Sequence, residues 1–231
     1  MKGTLYGVGV GPGDPELMTL KAVRMIRENE IIAVPGADVK ETVAYKIAVQ
    51  AVPELADKEL LPIYMPMTHD AKELEENHAK GAKTLEACLD QGKNVVFLTL
   101  GDPCVYSTFS YLQHRVEADG YHTELVSGIT SFCAVAARLN MGLAEMAEPL
   151  HVIPATYKAE EMDELLKLPG TKVLMKSGKR LKKVRDSILR SGQNAVMIEN
   201  CGMPEEKIYA SAKEIPEEAG YYTLLVVKDK K

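Results

Sequence analysis

The run "VVFLTL", Val95 to Leu100, is continuous and apolar, and it is bounded by Gly92 and Gly101. A strand with one face in water alternates apolar and polar residues; a strand with none can be apolar on both sides. This run therefore suits the buried middle of a parallel sheet. Parallel neighbours need crossover connections, usually helical, and the flanking sequence supplies them. "TLYGVGV", "EIIAVPG", "ELLPIYM" and "YHTELVSG" read as strands. Between them "PELMTLKAVRMIREN", "VKETVAYKIAVQAV", "HDAKELEENHAKGAKTLEACLDQG" and "VYSTFSYLQHRVEAD" read as helices. Such alternation implies βαβ units and an α/β fold.

The remainder keeps this character with less regularity. "LHVIPA", "TKVLMKS", "NAVMIEN" and "YYTLLVVKD" are strand candidates, and "AEEMDELLKL" and "KRLKKVRDSILRSG" are helix candidates. At 231 residues the chain has room for two modest domains. We place the boundary after "ELVSG": an N-terminal α/β domain over 1–127 and a second α/β domain over 128–231.

The stretch "GVGVGPGDPEL" puts glycine at positions 7, 9, 11 and 13 immediately before a helix start. Asp14 can cap that helix, and Pro15 suits its first position, where an N–H would be unpaired anyway. Glycine at alternate strand positions forfeits packing. Either a tight strand-to-helix turn needs it, or a ligand approaches the bare backbone closely; four glycines with Pro12 among them favour the ligand. The dinucleotide fingerprint fails, because Pro12 or Asp14 stands where its last glycine belongs, and no P-loop occurs. An anionic cap at the helix start also argues against phosphate there.

Two more turns join the first. "LGDPCVYSTFSY" follows the buried strand, and "SGITSFCAVAARL" follows the next. In open α/β sheets, ligands bind where loops converge beyond the carboxyl ends of the strands. The plainer readings are an Asp-Pro turn at Asp102 and a helix cap by Thr130 or Ser131.

Charge and composition count against several classes. A net charge of −5 offers no basic field for nucleic acid, and no run approaches the roughly 18 apolar residues of a membrane span. "MKGTLYGVGV" lacks a signal-peptide cleavage pattern, so a cytoplasmic protein is expected. Cys88, Cys104, Cys133 and Cys201 form no C-x-x-C pair, and neither a metal site nor a disulfide is expected. His69, His78, His114, His122 and His151 show no H-x-x-x-H spacing and read as surface or satisfied core residues.

Together, "LYGVGVGPGDPELMTLKAVRMIREN", "FLTLGDPCVYSTFSY" and "ELVSGITSFCAVAARL" resemble the tetrapyrrole (corrin and porphyrin) methylases, over essentially the whole chain. Many members of that family read G-G-D-P in the second motif; here the first glycine is Leu100. "LGDP" running into "YSTFSY" resembles the branch that methylates C20 of precorrin-2 or of cobalt-factor II in cobalamin biosynthesis.

The resemblance implies two α/β domains with S-adenosylmethionine folded into the cleft between them, and a cytoplasmic homodimer. Carried over residue by residue, cofactor contacts fall on Pro12, Gly101, Asp102, Val105, Thr130 and Ser131, then near Met175 or Lys176, at Cys201 and near Leu225. The macrocycle would lie over the glycine-rich loop, with Gly9, Gly11, Asp14 and Tyr106 as substrate contacts. Valine at Gly9 or Gly11 is then expected to abolish methyl transfer and leave the fold largely intact. No Ser-His-Asp or Cys-His grouping offers a nucleophile, and the displacement requires none; no residue is assigned as the base. Arg138, Lys176 and Lys179 are available to ring carboxylates, but none is assigned. Other readings are another tetrapyrrole methylase such as uroporphyrinogen-III methyltransferase, a protein or RNA methylase on the same scaffold, or a tetrapyrrole-binding protein without activity.

Overall fold

The computed structural model describes residues 1–66, 68 and 70–229; His69 lies outside them. The chain divides into two compact units, Met1–Thr130 and Ser131–Lys231.

The first unit is built on five strands, β1 (Thr4–Gly9), β2 (Ile31–Pro35), β3 (Glu59–Ile63), β4 (Val95–Thr99) and β5 (His122–Val126). They lie in the order β3-β2-β4-β1-β5, with every pairing parallel. The apolar run that anchors the sequence reading is the middle strand, β4, and all five of its residues are buried. Its side chains alternate between two cores. Val96 and Leu98 pack on one face with Val8, Ile26, Ala48 and Leu55, while Val95 and Phe97 pack on the other with Leu5, Leu85, Leu89 and Leu112. Helices α1 (Leu20–Glu28) and α2 (Val43–Ala51) cover the first face, and α3 (Ala71–Asp90) and α4 (Phe109–Ala118) cover the second. On α3, His78 is buried and its ring stacks on Tyr111 at 4.8 Å between centroids.

The starts of α1 and α4 fall later than the sequence suggests. Asp14 does accept an N–H, from Glu16 at 2.8 Å, but it caps only a short 3-10 turn over Pro15–Leu17. Thr19 caps α1 itself, accepting from the Ala22 N–H at 3.1 Å. Likewise α4 starts at Phe109, whose N–H donates to the Ser107 hydroxyl at 3.2 Å. In each case a hydroxyl offers the better-placed acceptor for a free first-turn amide.

The second unit carries α5 (Ser131–Arg138), α6 (Met162–Leu165) and α7 (Leu181–Ser191) around a sheet of β6 (Leu150–Pro154), β7 (Thr171–Met175), β8 (Asn194–Glu199), β9 (Lys207–Tyr209) and β10 (Thr223–Lys228). The order is β6-β7-β10-β8-β9. Only β6 and β7 pair in parallel; β10 inserts antiparallel between β7 and β8, and β9 pairs antiparallel with β8. The edge strand β9 is three residues long and was not legible in the sequence. The helix expected over "AEEMDELLKL" shrinks to a 3-10 turn and the four residues of α6.

Lys172 is fully buried in β7. Its ammonium donates to the Leu168 and Gly170 carbonyls at 2.9 and 2.8 Å and to the Asp229 carboxylate at 2.5 Å. A charge so enclosed persists only when paired and hydrogen-bonded. The Lys172 ammonium and the Gly170 N–H hold the Asp229 carboxyl below its ordinary value of 3.8. The stabilisation is therefore present at neutral pH and is lost as pH falls below about 4. Asp229→Asn should lower the urea midpoint at pH 7, and the gap to wild type should close in titrations run from pH 4 downward.

Gly7 has a packing reason of its own: a Cβ there would meet the Phe109 ring at 2.3 Å. Gly7→Ala should therefore cost about 1–3 kcal/mol through overpacking. Combining it with Phe109→Leu should raise the urea midpoint above that of Gly7→Ala alone.

Candidate functional site

Because the first sheet is wholly parallel, the loops after β1, β4 and β5 leave it at one edge, and these three strands are neighbours. Their main chains touch. A Cβ on Gly9 would lie 2.5 Å from the Gly101 carbonyl oxygen and 2.7 Å from the Gly128 nitrogen, and a Cβ on Gly128 would lie 2.1 Å from that same oxygen. Three glycines at this point let three backbones meet where no side chain fits. Beyond the contact, the loops after β1 and β4 bridge: the Gly11 N–H donates to the Gly101 carbonyl at 3.2 Å, and the Gly101 N–H donates to the Gly11 carbonyl at 2.8 Å. Both residues hold positive φ, +77° and +72°, a conformation that glycine adopts without steric penalty.

This corrects, at Gly7 and Gly9, the expectation that the glycines clear the backbone for a ligand. Gly7 makes room for a phenylalanine ring, and Gly9 for neighbouring main chain. Valine at Gly9 would drive into backbone, so such a variant loses local structure and does not leave the fold intact. At Gly11 the space is less tight, 3.2 Å to the Leu17 carbonyl, but the positive φ strains any replacement.

Asp102 fastens the arrangement. Its Oδ2 accepts from the Gly128 N–H at 2.9 Å and its Oδ1 from the Cys104 N–H at 2.7 Å, so one buried carboxylate ties the loop after β4 to the loop after β5. Thr19 adds a tie from the loop after β1, donating its hydroxyl to the Ser127 carbonyl at 3.3 Å. Of the residues singled out in the sequence, Gly9, Gly11, Pro12, Gly101, Asp102, Val105, Tyr106 and Thr130 all lie on β1 or in these loops. Gly11 and Pro12 are buried, and Val105 donates its N–H to the Asp102 carbonyl at 3.2 Å. Tyr106 is 47% exposed at a φ of +51°. Asp14 is committed to the 3-10 turn.

Thr130 is the unbalanced member. Its hydroxyl oxygen is buried with no hydrogen-bond partner, a state that costs about 1–3 kcal/mol when nothing else fills the role. An orphaned polar atom at the end of a loop at this sheet edge fits a polar ligand.

In the second unit, β6, β7 and β8 run the same way, and their carboxyl ends share an edge with the amino end of β10. The Lys176 carbonyl accepts from the Thr156 hydroxyl, and the Asn200 N–H donates to the Tyr222 carbonyl at 2.9 Å. Lys176 and Asn200 adopt left-handed φ of +56° and +55°. Lys176 and Cys201 lie at this edge, and Ser131 opens α5. Leu225 does not join them. It pairs with Leu174 and Met197 inside the sheet, and its side chain is fully buried. Because β10 runs antiparallel, its edge-forming end is Thr223.

Burial, with the Glu206 carboxylate beside it, pushes the Cys201 thiol up to about 11. At neutral pH it is a neutral thiol and a poor nucleophile. The sequence reading missed two parts of this edge. One is Glu206, which reaches back to the turn after β8. The other is the pair Gly178 and Gly220, where a Cβ on Gly178 would lie 2.4 Å from the Gly220 carbonyl oxygen. The spaced glycines were a visible signal; the partner of Glu206 was not. Among the described residues, no three or more His, Cys, Asp or Glu side chains gather as a metal site, and no helix is long and apolar enough to cross a membrane.

The family model of the tetrapyrrole (corrin/porphyrin) methylases matches residues 4–216. The chain belongs to that family. Among its curated relatives, the cobalt-precorrin-2 C(20)-methyltransferase of Salmonella typhimurium is 31% identical over 98% of this chain and 97% of its own length. The precorrin-2 C(20)-methyltransferase of a Sinorhizobium species is 30% identical over 97% of this chain and 95% of its own. The chain spans about half (46%) of the cobalamin biosynthesis protein CobIJ of Mycobacterium tuberculosis, at 30% identity over 98% of this chain. A uroporphyrin-III C-methyltransferase from Thermus thermophilus, solved with S-adenosylhomocysteine, shares the fold at a TM-score of 0.73 and 23% identity, covering 98% of this chain and 97% of that one. The two-unit α/β architecture is thus that of tetrapyrrole methylases.

If Asp102 holds loops together, removing its oxygens should loosen them in order. Asp102→Ala, which orphans two main-chain N–H groups, should lose about 1–3 kcal/mol. Asp102→Asn, which keeps one acceptor oxygen, should fall between it and wild type in urea unfolding.

Proposed function

We propose that the chain transfers a methyl group from S-adenosylmethionine to C20 of precorrin-2 or of its cobalt complex, a step of cobalamin biosynthesis. The observation that carries this reading is the match, nearly end to end on both sides, with the Salmonella enzyme of that name. "LGDP" in place of G-G-D-P supports the same branch.

When bound, the sulfonium donor supplies a methyl group already activated for displacement, so the protein's part is to bind, orient and exclude water. In the first unit, Pro12, Gly101, Asp102, Val105 and Thr130 are the proposed donor contacts. Gly101 and Asp102 contribute chiefly shape, since their main-chain or carboxylate groups already serve the loops. Thr130 contributes the free hydroxyl. In the second unit the proposed contacts are Ser131, Lys176 and Cys201, with the Thr223 end of β10 replacing Leu225. Gly11 and Tyr106 are proposed to face the macrocycle. Holding the acceptor carbon and the methyl near attack distance is worth roughly 7–11 kcal/mol in favourable systems, and a rigid main-chain cradle is suited to that task. Any cobalt belongs to the substrate. The reading includes a cytoplasmic homodimer, for which sedimentation of the purified chain is the first check.

The deciding assay offers precorrin-2, cobalt-factor II and uroporphyrinogen III side by side with labelled donor, and locates the new methyl by NMR. Methylation at C20 of either of the first two is expected; methylation of uroporphyrinogen III alone, or of none, refutes the reading. Thr130→Val tests the cradle separately. It removes an orphaned hydroxyl at nearly constant volume, so unfolding should be no easier than in wild type while affinity for S-adenosylhomocysteine falls about tenfold, a loss typical of one hydrogen bond.

A further inference from the structure

The turn after β8 is held from an unexpected direction. Asn200 and Gly202 both take left-handed conformations, φ +55° and +74°, on either side of Cys201. The Met203 N–H donates to the Asn200 carbonyl at 2.9 Å, and the Glu206 N–H to the Met203 carbonyl at 3.1 Å, so the chain folds back at once. That return brings the Glu206 carboxylate under the turn. Its Oε2 accepts from the Gly202 N–H at 2.9 Å, and its Oε1 accepts from Arg138 Nε, on α5, at 2.7 Å. The carboxylate is only 15% exposed, whereas the Arg138 side chain is 56% exposed. Glu206 is therefore the enclosed partner, and Arg138 the outer counter-ion.

The Gly202 N–H and the Cys201 carbonyl belong to one planar trans peptide, so they point in opposite directions. Fixing the first fixes the second. From this geometry we infer that Glu206 is a positioning residue: by accepting the Gly202 N–H it turns the Cys201 carbonyl outward, as the acceptor for an N–H of the donor's purine. A turn with glycine at 202 can flip this peptide at little steric cost, and a flipped peptide would present an N–H where an acceptor is required. Arg138 Nε, at 2.7 Å, keeps the carboxylate aimed, and charge-assisted bonds of this kind are stronger than neutral ones. The inference rests on Cys201 being a donor contact.

The test is calorimetric titration of the full chain with S-adenosylhomocysteine, paired with steady-state kinetics and thermal unfolding, for wild type, Glu206→Gln, Glu206→Ala and Arg138→Met. Glu206→Ala should bind at least tenfold more weakly and raise KM for the methyl donor in proportion, with kcat at saturating donor within about twofold of wild type. Glu206→Gln keeps one acceptor oxygen and should recover much of the affinity. Arg138→Met, which leaves the Gly202 bond in place, should lose least. Should Glu206→Ala fail to fold, the Gln variant decides alone, by whether its affinity lies between those of wild type and a tenfold loss. Wild-type affinity in folded Glu206→Ala, a loss of tenfold or more in folded Glu206→Gln, or a fall in kcat with KM unchanged overturns the inference while leaving the methylase reading standing. Failure of the wild-type chain to bind S-adenosylhomocysteine overturns both.

Discussion

At the carboxyl edge of the first sheet, the main chains of Gly9, Gly101 and Gly128 come closer together than any side chain permits. Much of what this edge can do follows from that contact. It brings the loop after β4 onto β1, where paired hydrogen bonds between Gly11 and Gly101 extend the contact beyond the sheet. It also sets Gly128 within reach of Asp102, whose two oxygens each take a main-chain N–H. Thr130 follows two residues later with a hydroxyl that the protein does not satisfy. A cradle made of main chain is stiff, because its shape is set by peptide planes and a few fixed dihedrals and not by rotamers.

Two acids, one in each unit, share a role that their type alone does not suggest. Asp102 in the first unit and Glu206 in the second are both largely enclosed, and both accept main-chain N–H groups of loops at a sheet edge. Neither is arranged as a general base, which would need a free oxygen facing the leaving proton. Cys201 is held as a thiol by burial and by the nearby Glu206 carboxylate, so it too is chemically quiet. The proposed transfer of an already activated methyl group would need shape and little reactivity of the protein's own, and this distribution of roles agrees with that.

The second unit shows how direction decides contribution. Because β10 enters antiparallel, its first residues, and not its middle, share an edge with Lys176 and Cys201. Leu225 then belongs to the core with Met162, Leu174 and Met197. A hydrophobic strand reads the same in either direction, so the sequence left this open.

Local chemistry was legible in the sequence. The apolar run Val95–Leu98 of β4, the alternation of strands and helices, and the three small-residue turns rest on the period of the backbone and on turn propensities, which depend on near neighbours. These fixed a parallel α/β first unit, and the motifs fixed the family. Tertiary structure alone decided what each glycine makes room for, a phenylalanine ring at Gly7 but other main chain at Gly9. It decided that Thr19 and not Asp14 caps α1, that β9 pairs beside β8, and that Glu206 braces the turn at Cys201. The reason is physical: each of these depends on which groups, distant in sequence or folded back by a turn, arrive within a few ångströms, and no local pattern records that meeting.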